Sequence, residues 1–283
     1  MPAENVVAIT ESLRVTTLEP TLGAEISGID LSKPLSPVQR DEVHALLLKH
    51  KVIFFRDQHI NSAQQIAFAA QFGELYVHPT TQQEDTAKPQ AHLILASQAK
   101  EAYGDARKGR WHTDTSWMLK PTYGAVLRAV SLPQLGGDTV WADAGLVYRG
   151  LSEELKARID NLFVTHNFKS SLDKVGYDYP IIAHPLVRTH PETGEDALFI
   201  NFSMSPQFIG WSVEESRELV AELLREFSNP EYQVRFKWTP GTVAFWDNRA
   251  LLHYPVYNYG DFDRVMERVL IADTDIPHRV RRT

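Results

Sequence analysis

The stretch that most narrows what this chain can fold into is EYQVRFKWTPGTVAFWDN, residues 231–248. Tyr232, Val234, Phe236 and Trp238 alternate with polar residues, the period-two pattern of a strand with one buried face. Pro240-Gly241 is a turn signal, and TVAFWDN resumes as a second apolar strand, so the segment reads as a β-hairpin. KVIFFRDQ (51–58) reads as a short buried strand. Helices are inserted among these strands. PVQRDEVHALLLK (37–49) spaces Val43, Leu46 and Leu47 on one face behind Pro37 in the first turn. NSAQQIAFAAQFG (61–73) starts on an N-cap residue and ends on Gly73 as its C-cap. SVEESRELVAELLREF (212–227) opens on the capping box Ser212/Glu215 and repeats Leu219, Val220, Leu223, Leu224 and Phe227 on one face. The pattern predicts a mixed, mainly β fold, an antiparallel sandwich or barrel flanked by helices, rather than alternating βαβ units. Neither G-x-G-x-x-G nor G-x-x-x-x-G-K-[ST] occurs, which argues against dinucleotide and P-loop folds.

With 283 residues, 43% of them hydrophobic, and no Pro/Gly/Ser-rich linker or internal repeat, residues 1–283 read as one domain with a sizeable core. A formal net charge of −7 disfavours nucleic acid as a partner. The single basic run, HRVRRT at 278–283, reads as a solvated tail. The absence of cysteine removes disulfides and thiolate chemistry. The opening MPAENVVAITESLR has no basic-then-apolar leader pattern, and no apolar run reaches the roughly 18 residues of a membrane-spanning helix. The expectation is a cytoplasmic protein without a membrane partner.

Chemistry concentrates in GRWHTDTSWMLKP, residues 109–121. His112 and Asp114 are two apart, and in an extended strand such residues share a face. They read as a metal site, an acid–base pair, or the polar face of an ordinary strand. With a distant histidine they would form the two-histidine, one-carboxylate facial triad of non-haem Fe(II) oxygenases. His253, in FWDNRALLHYPV, is the candidate third ligand. Taken singly, the other histidines are unremarkable: His44 and His50 belong to a helix surface or its end, and His59, His92 and His278 to loops. In DFDRVMERVLIADT, Arg264 and Arg268 are four apart. On one strand they would share a face and suit bidentate recognition of a carboxylate or sulfonate, or else be surface arginines.

In order, LGAEISGIDLSKPLS, KVIFFRDQ, AAQFGELYVHP, WHTDTSW, LPQLGGDTVWAD, HPLVRTHPETGEDALFIN, VAFWDNRALLHY and RVMERVLIAD resemble the taurine dioxygenase group of Fe(II)/2-oxoglutarate-dependent oxygenases over nearly the whole chain. The resemblance implies a double-stranded β-helix (jelly roll) core. It implies Fe(II) held by His112, Asp114 and His253. The distal carboxylate of 2-oxoglutarate would be held by Arg264 and Thr139, with O₂ as co-substrate and succinate as product. A carboxylate at Asp114 implies hydroxylation, because halogenating members lack it. His78, Arg268 and Ser171 match the residues around the sulfonate of the taurine enzyme and imply a small anionic substrate. Thr81 stands in place of a tyrosine and Lys108 in place of an asparagine, and the loop after Ser171 is shorter, all at the amine end of taurine. Trp117 and Phe202 either line a more apolar pocket or belong to the core. The expected reaction is hydroxylation of a sulfonate, with release of sulfite and an aldehyde. The alternatives are a carboxylate substrate, phenoxyacetate-like or biosynthetic, and a metal-binding jelly roll without catalysis. Relatives of this kind are commonly dimers or tetramers, which implies a homo-oligomer.

Overall fold

The computed structural model describes residues 13–79, 111–260 and 262–281, together with the backbone of residues 6–8 and 94–96. The main sheet runs in the order β1 (Val6–Ala8), β2 (Arg14–Thr17), β3 (Ala24–Ser27), β4 (Val52–Phe55), β15 (Val243–Asp247), β7 (Gly124–Ser131), β17 (Val265–Ile271) and β5 (Leu75–Tyr76). β6 (Ile94–Ala96) also pairs with β17. A second sheet has the order β14 (Gln233–Phe236), β8 (Thr139–Asp143), β16 (Leu251–Pro255). Smaller sheets join β10 (Ala183–Pro185), β9 (Phe163–Thr165) and β13 (Gln207–Phe208), and β11 (Val187–Thr189) with β12 (Asp196–Leu198).

Period-two alternation assigns each strand's side chains to one of two cores. On the main sheet, Ile53, Phe55, Val126, Val243, Phe245, Val269 and Ile271 pack against Val43, Leu46 and Leu47 of α1 (Pro37–His50) and Phe68 of α2 (Ser62–Ala69). Their neighbours Val52, Phe54, Ala125, Leu127, Ala244, Trp246, Met266 and Leu270 face the second sheet and meet Trp141, Val234, Phe236 and Leu251. Phe54 stacks on Phe236 with centroids 3.7 Å apart and meets Trp141 edge-on at 5.2 Å. The outer face of the second sheet, Val140, Ala142 and Leu252, is covered by α3 (Ala144–Gly150), α4 (Glu153–Ile159) and α6 (Val213–Phe227). Two facing sheets with helices outside each are the jelly-roll core expected from the sequence. No helix among the described residues is long and apolar enough to cross a membrane.

Two local expectations change. Residues 231–248 do not form a hairpin: β14 pairs with β8 in the second sheet, whereas β15 pairs with β4 and β7 in the main one. All five residues of β15 are buried, so it needs a neighbour on both edges, and the turn at Pro240-Gly241 carries the chain across the sandwich. α2 ends at Ala69 rather than at Gly73. Gly73 is instead a point of close approach, where a Cβ would come within 2.9 Å of Ile271 Cγ2. His50 closes α1 but is only 2% exposed, and burial pushes its pKa down to about 4. Both long-helix capping boxes form, Ser36/Gln39 on α1 and Ser212/Glu215 on α6.

Candidate active site

The site occupies one end of the space between the two sheets. His253 lies on β16 and faces inward, its neighbour Leu252 facing the outer core. His112 sits opposite it as an isolated antiparallel bridge, with His112 N–H donating to His253 O at 3.0 Å and His253 N–H to His112 O at 2.8 Å. That bridge stacks the two rings with centroids 4.3 Å apart. Two residues on, Asp114 completes a group in which one ligand atom from each residue lies within 4.8 Å of the others.

The donor set fits a divalent metal. Asp114 Oδ1 accepts from Arg268 Nη1 at 2.6 Å, while Oδ2 is buried with no hydrogen-bond partner. His253 Nδ1 is also buried and unpartnered. Burial, with the charges of His112 and Arg268 beside it, holds His253 well below the usual imidazole range, so it stays neutral. Leaving buried polar atoms unpaired costs about 1–3 kcal/mol each, which a bound cation would offset. Two imidazoles and one carboxylate oxygen on one side, with the other side open to a cavity, is the arrangement suited to Fe(II) with free coordination positions.

Arg264 and Arg268 are separated by function. Arg268, on β17, points between the sheets like Met266 and Leu270 and reaches Asp114. Arg264 lies just before the strand, where the register against β7 skips Val130. It is 4% exposed and crosses to the second sheet: Nε donates to Gly137 O at 2.8 Å and Nη2 to Thr139 Oγ1 at 3.3 Å. Thr139 Oγ1 also accepts from Trp238 Nε1 at 3.0 Å, so its lone pairs are used and its own proton is left for an acceptor. Gly136 and Gly137 make this approach possible. Both have φ above +70°, and a Cβ on Gly137 would sit 3.0 Å from Arg264 Cδ.

His78, Trp117, Phe168, Met204, Asn201, Thr115 and Leu270 join His112, Asp114 and Arg268 around the cavity. Trp117 and Phe168 stack with centroids 5.6 Å apart, and His78 meets both edge-on at 6.1 and 5.9 Å. Burial first, and then the charge of Arg268, pushes the His78 pKa down to about 4 against the opposing pull of Asp114. Trp117 is thus on the cavity wall. Phe202 is in the core, edge-on to Phe227 at 5.6 Å; Met204, two residues later, reaches the cavity instead. Ser171 lies on α5 (Lys169–Asp173) and is not among the described lining residues; Phe168, at the start of that helix, is. Thr81 and Lys108 lie outside the described residues. Phe168 and Met204 were missed because none of the segments that carry the resemblance contains them, and Asn201 because it closes the HPLVRTHPETGEDALFIN segment without a residue type or spacing that marks a wall position; only their contacts make them wall residues.

The model of the taurine catabolism dioxygenase TauD, TfdA family matches residues 14–270. The chain belongs to that family. This dioxygenase is 35% identical to the alpha-ketoglutarate-dependent sulfate ester dioxygenase of Pseudomonas putida, over 89% of this chain and 86% of that one. It is similar in structure to a taurine dioxygenase from Burkholderia xenovorans, with TM-score 0.80 and 38% identity over 94% and 91% of the two chains. AAD-2 in complex with Mn(II) and N-oxalylglycine is similar too, with TM-score 0.78 and 29% identity over 94% and 99%. The TauD/TfdA dioxygenase described here uses Fe(II), 2-oxoglutarate and O₂.

Proposed function

We propose that this enzyme hydroxylates a small organic sulfonate or sulfate ester with an apolar body, at the carbon next to the sulfur-bearing group. The observation that carries the reading is Arg268. Its Nη1 is bound to Asp114, but its Nε is buried on the cavity side of β17 with no partner, and so calls for an anionic acceptor. The rest of the described wall combines the apolar and aromatic Trp117, Phe168, Met204 and Leu270 with the uncharged polar Thr113, Thr115 and Asn201. Its one carboxylate, Asp114, is a metal-ligand candidate already paired with Arg268, so nothing described there complements an ammonium group. An apolar chain suits Trp117, Phe168, Met204 and Leu270 better than the amine of taurine does.

His112, Asp114 and His253 would hold Fe(II), which when bound supplies O₂ activation coupled to decarboxylation of 2-oxoglutarate. Arg264 and the Thr139 hydroxyl would anchor the distal carboxylate of 2-oxoglutarate. Arg268 and neutral His78 fix the substrate's head group, and the aromatic pair presents the adjacent carbon and keeps water away from it. The product, with hydroxyl and sulfur group on one carbon, collapses to an aldehyde and sulfite, or sulfate from an ester.

A second reading, an aryloxy carboxylate, draws on the same Trp117–Phe168 pair, because a ring stacks on such a wall as well as an alkyl chain does. Succinate release separates them. Hexyl sulfate or hexanesulfonate should give one succinate per aldehyde, taurine and phenoxyacetate far less. Tight coupling on phenoxyacetate alone would replace the first reading with the second.

A further inference from the structure

Asp114 is delivered by a turn closed on itself by one backbone bond, Met118 N–H to Thr115 O at 2.9 Å, and otherwise tied from outside. Thr115, directly after it, has φ +49°, a left-handed conformation that β-branched residues seldom adopt. Between the two ligands of the H-x-D pair, Thr113 has no strand neighbour beyond the single His112–His253 bridge. Thr122 N–H donates to Thr115 Oγ1 at 2.7 Å beyond the carboxylate, and the H-x-D segment itself is held by a pair of buried asparagines, one from each side. Asn201, fully buried, donates from Nδ2 to Thr113 O at 3.0 Å and to Ser116 Oγ at 2.9 Å. Its Oδ1 accepts from Ser203 N at 3.1 Å and from Ser203 Oγ at 2.6 Å, so the amide cannot flip without losing its partners. Its backbone N–H donates to His166 Nε2 at 3.1 Å, and His166 Nδ1 lies 3.2 Å from Ser116 O, tying the same turn a second time. From the other side, Asn248 O accepts from Thr113 Oγ1 at 2.8 Å and Asn248 Oδ1 from Asp114 N at 3.3 Å. Trp246 Nε1 holds that Oδ1 at 2.9 Å.

We propose that Asn201 is a positioning residue for both halves of the site. Through Thr113 it sets where the Asp114 carboxylate points, and through Ser116 it sets the Trp117 wall. The assignment rests on the iron-site reading above. Asn201 takes no part in the reaction itself: its Nδ2 protons are used on the turn. The effect is mechanical. Without that amide, the strained turn relaxes, Asp114 swings from the imidazole pair, and the wall moves with it.

The test is an anaerobic titration of the apo-enzyme with Fe(II) and 2-oxoglutarate, followed by its visible charge-transfer band, beside Mn(II) affinity and thermal melting. Asn201→Asp keeps the size and the Oδ1 acceptor but loses the Nδ2 donors. It is expected to weaken metal affinity about 10–100-fold, as substitutions behind metal ligands do, and to shift the band. Ser116→Ala, which removes the hydroxyl that accepts from Asn201 Nδ2, should shift the band in the same sense and serves if Asn201→Asp does not fold. Leu223→Ala, on the buried face of α6, should lower the melting temperature and leave metal affinity and band in place. Unchanged affinity and band in Asn201→Asp or in Ser116→Ala overturns the assignment. So does an equal loss of metal affinity in Leu223→Ala, which would make the effect one of general stability. Absence of the band in the unsubstituted enzyme overturns the iron reading itself, and this inference with it.

Discussion

Asp114 and Asp247 are both buried aspartates beside histidines, yet they are completed in opposite ways. Asp247, at the end of β15, accepts four hydrogen bonds: Arg249 N at 2.8 Å and Nε at 2.9 Å on Oδ1, Arg249 Nη2 at 2.7 Å and His190 Nε2 at 3.0 Å on Oδ2. Arg249 continues to Glu192 at 2.7 Å, Glu192 to His44 at 2.7 Å, and the guanidinium lies over Tyr123 at 4.7 Å. The Arg249 charge and the His190 bond hold Asp247 far below the usual carboxylate range despite its burial. Asp114 has one partner and one bare oxygen. A saturated network is a latch that fixes the 190–193 loop to the main sheet; an unsaturated one is a vacancy for a ligand. Histidine and aspartate in proximity do not distinguish the two, but the count of unused lone pairs does.

The contrast is broken most sharply by exchanging the outcomes. Asp114→Asn should abolish turnover yet leave the melting temperature unchanged or raised, because it removes a buried charge that the apo-protein only half satisfies. Asp247→Ala should do the reverse and cost about 3–5 kcal/mol in urea unfolding, since it strips Arg249 and His190 of their partner. The folded fraction should still bind Fe(II) and 2-oxoglutarate. If Asp247→Ala lost metal binding at full stability, the latch would have to be counted as part of the site. Arg264→Leu tests the same distinction inside the site. Two hydrogen bonds to a charged group, at about 1.5–3 kcal/mol each, predict 2-oxoglutarate affinity weaker by about 100-fold or more by calorimetry, with Mn(II) affinity retained.

The same burial that isolates these sites also sets a pH dependence. Burial pushes the pKa of His50, His166 and His184 down to about 4, 3 and 4. His166 also needs its neutral form, because Nε2 accepts from Asn201 N. The unfolded chain, with histidines near 6.5, takes up protons that the folded chain refuses. Stability is therefore present above pH 6.5 and lost as pH falls toward about 4, by about 1.4 kcal/mol per pH unit for each histidine fully protonated only when unfolded. Melting temperatures between pH 7 and 4.5 would follow this decline in the latch-intact, metal-free enzyme. A flat profile would show that these rings are more accessible than the fold makes them.

Much of this was legible along the chain. The capping box of α6, the Pro37 start and apolar face of α1 and the apolar alternation of the strands are local properties, read correctly because the backbone responds to neighbours three or four residues away. The ligand group was legible because H-x-D places two donors on one face, and His253 stood out among eleven histidines by its place in the WDNRALLHY segment that carries the family resemblance. The partners of those strands were not. A turn signal at Pro240-Gly241 is the same whether the chain folds back in one sheet or crosses to another, and only the burial of β15 on both faces decides. WDNRALLHY read as one motif, yet its Asp247 and Arg249 belong to the latch, its Asn248 to the turn behind Asp114, and His253 to the metal group.

By itself, then, the sequence determined its long helices, the apolar alternation of its clearest strands and, through the family resemblance, the residues proposed to bind iron and 2-oxoglutarate. Tertiary structure alone decided that Phe168 and Met204 are wall while Phe202 is core, that Arg268 serves Asp114 and Arg264 serves Thr139, and that Asn201 holds the turn between them. The reason is physical: periodicity and capping act within a few residues, whereas a lone pair is satisfied or left bare by whatever strand, 88 or 154 residues away, the fold happens to bring beside it.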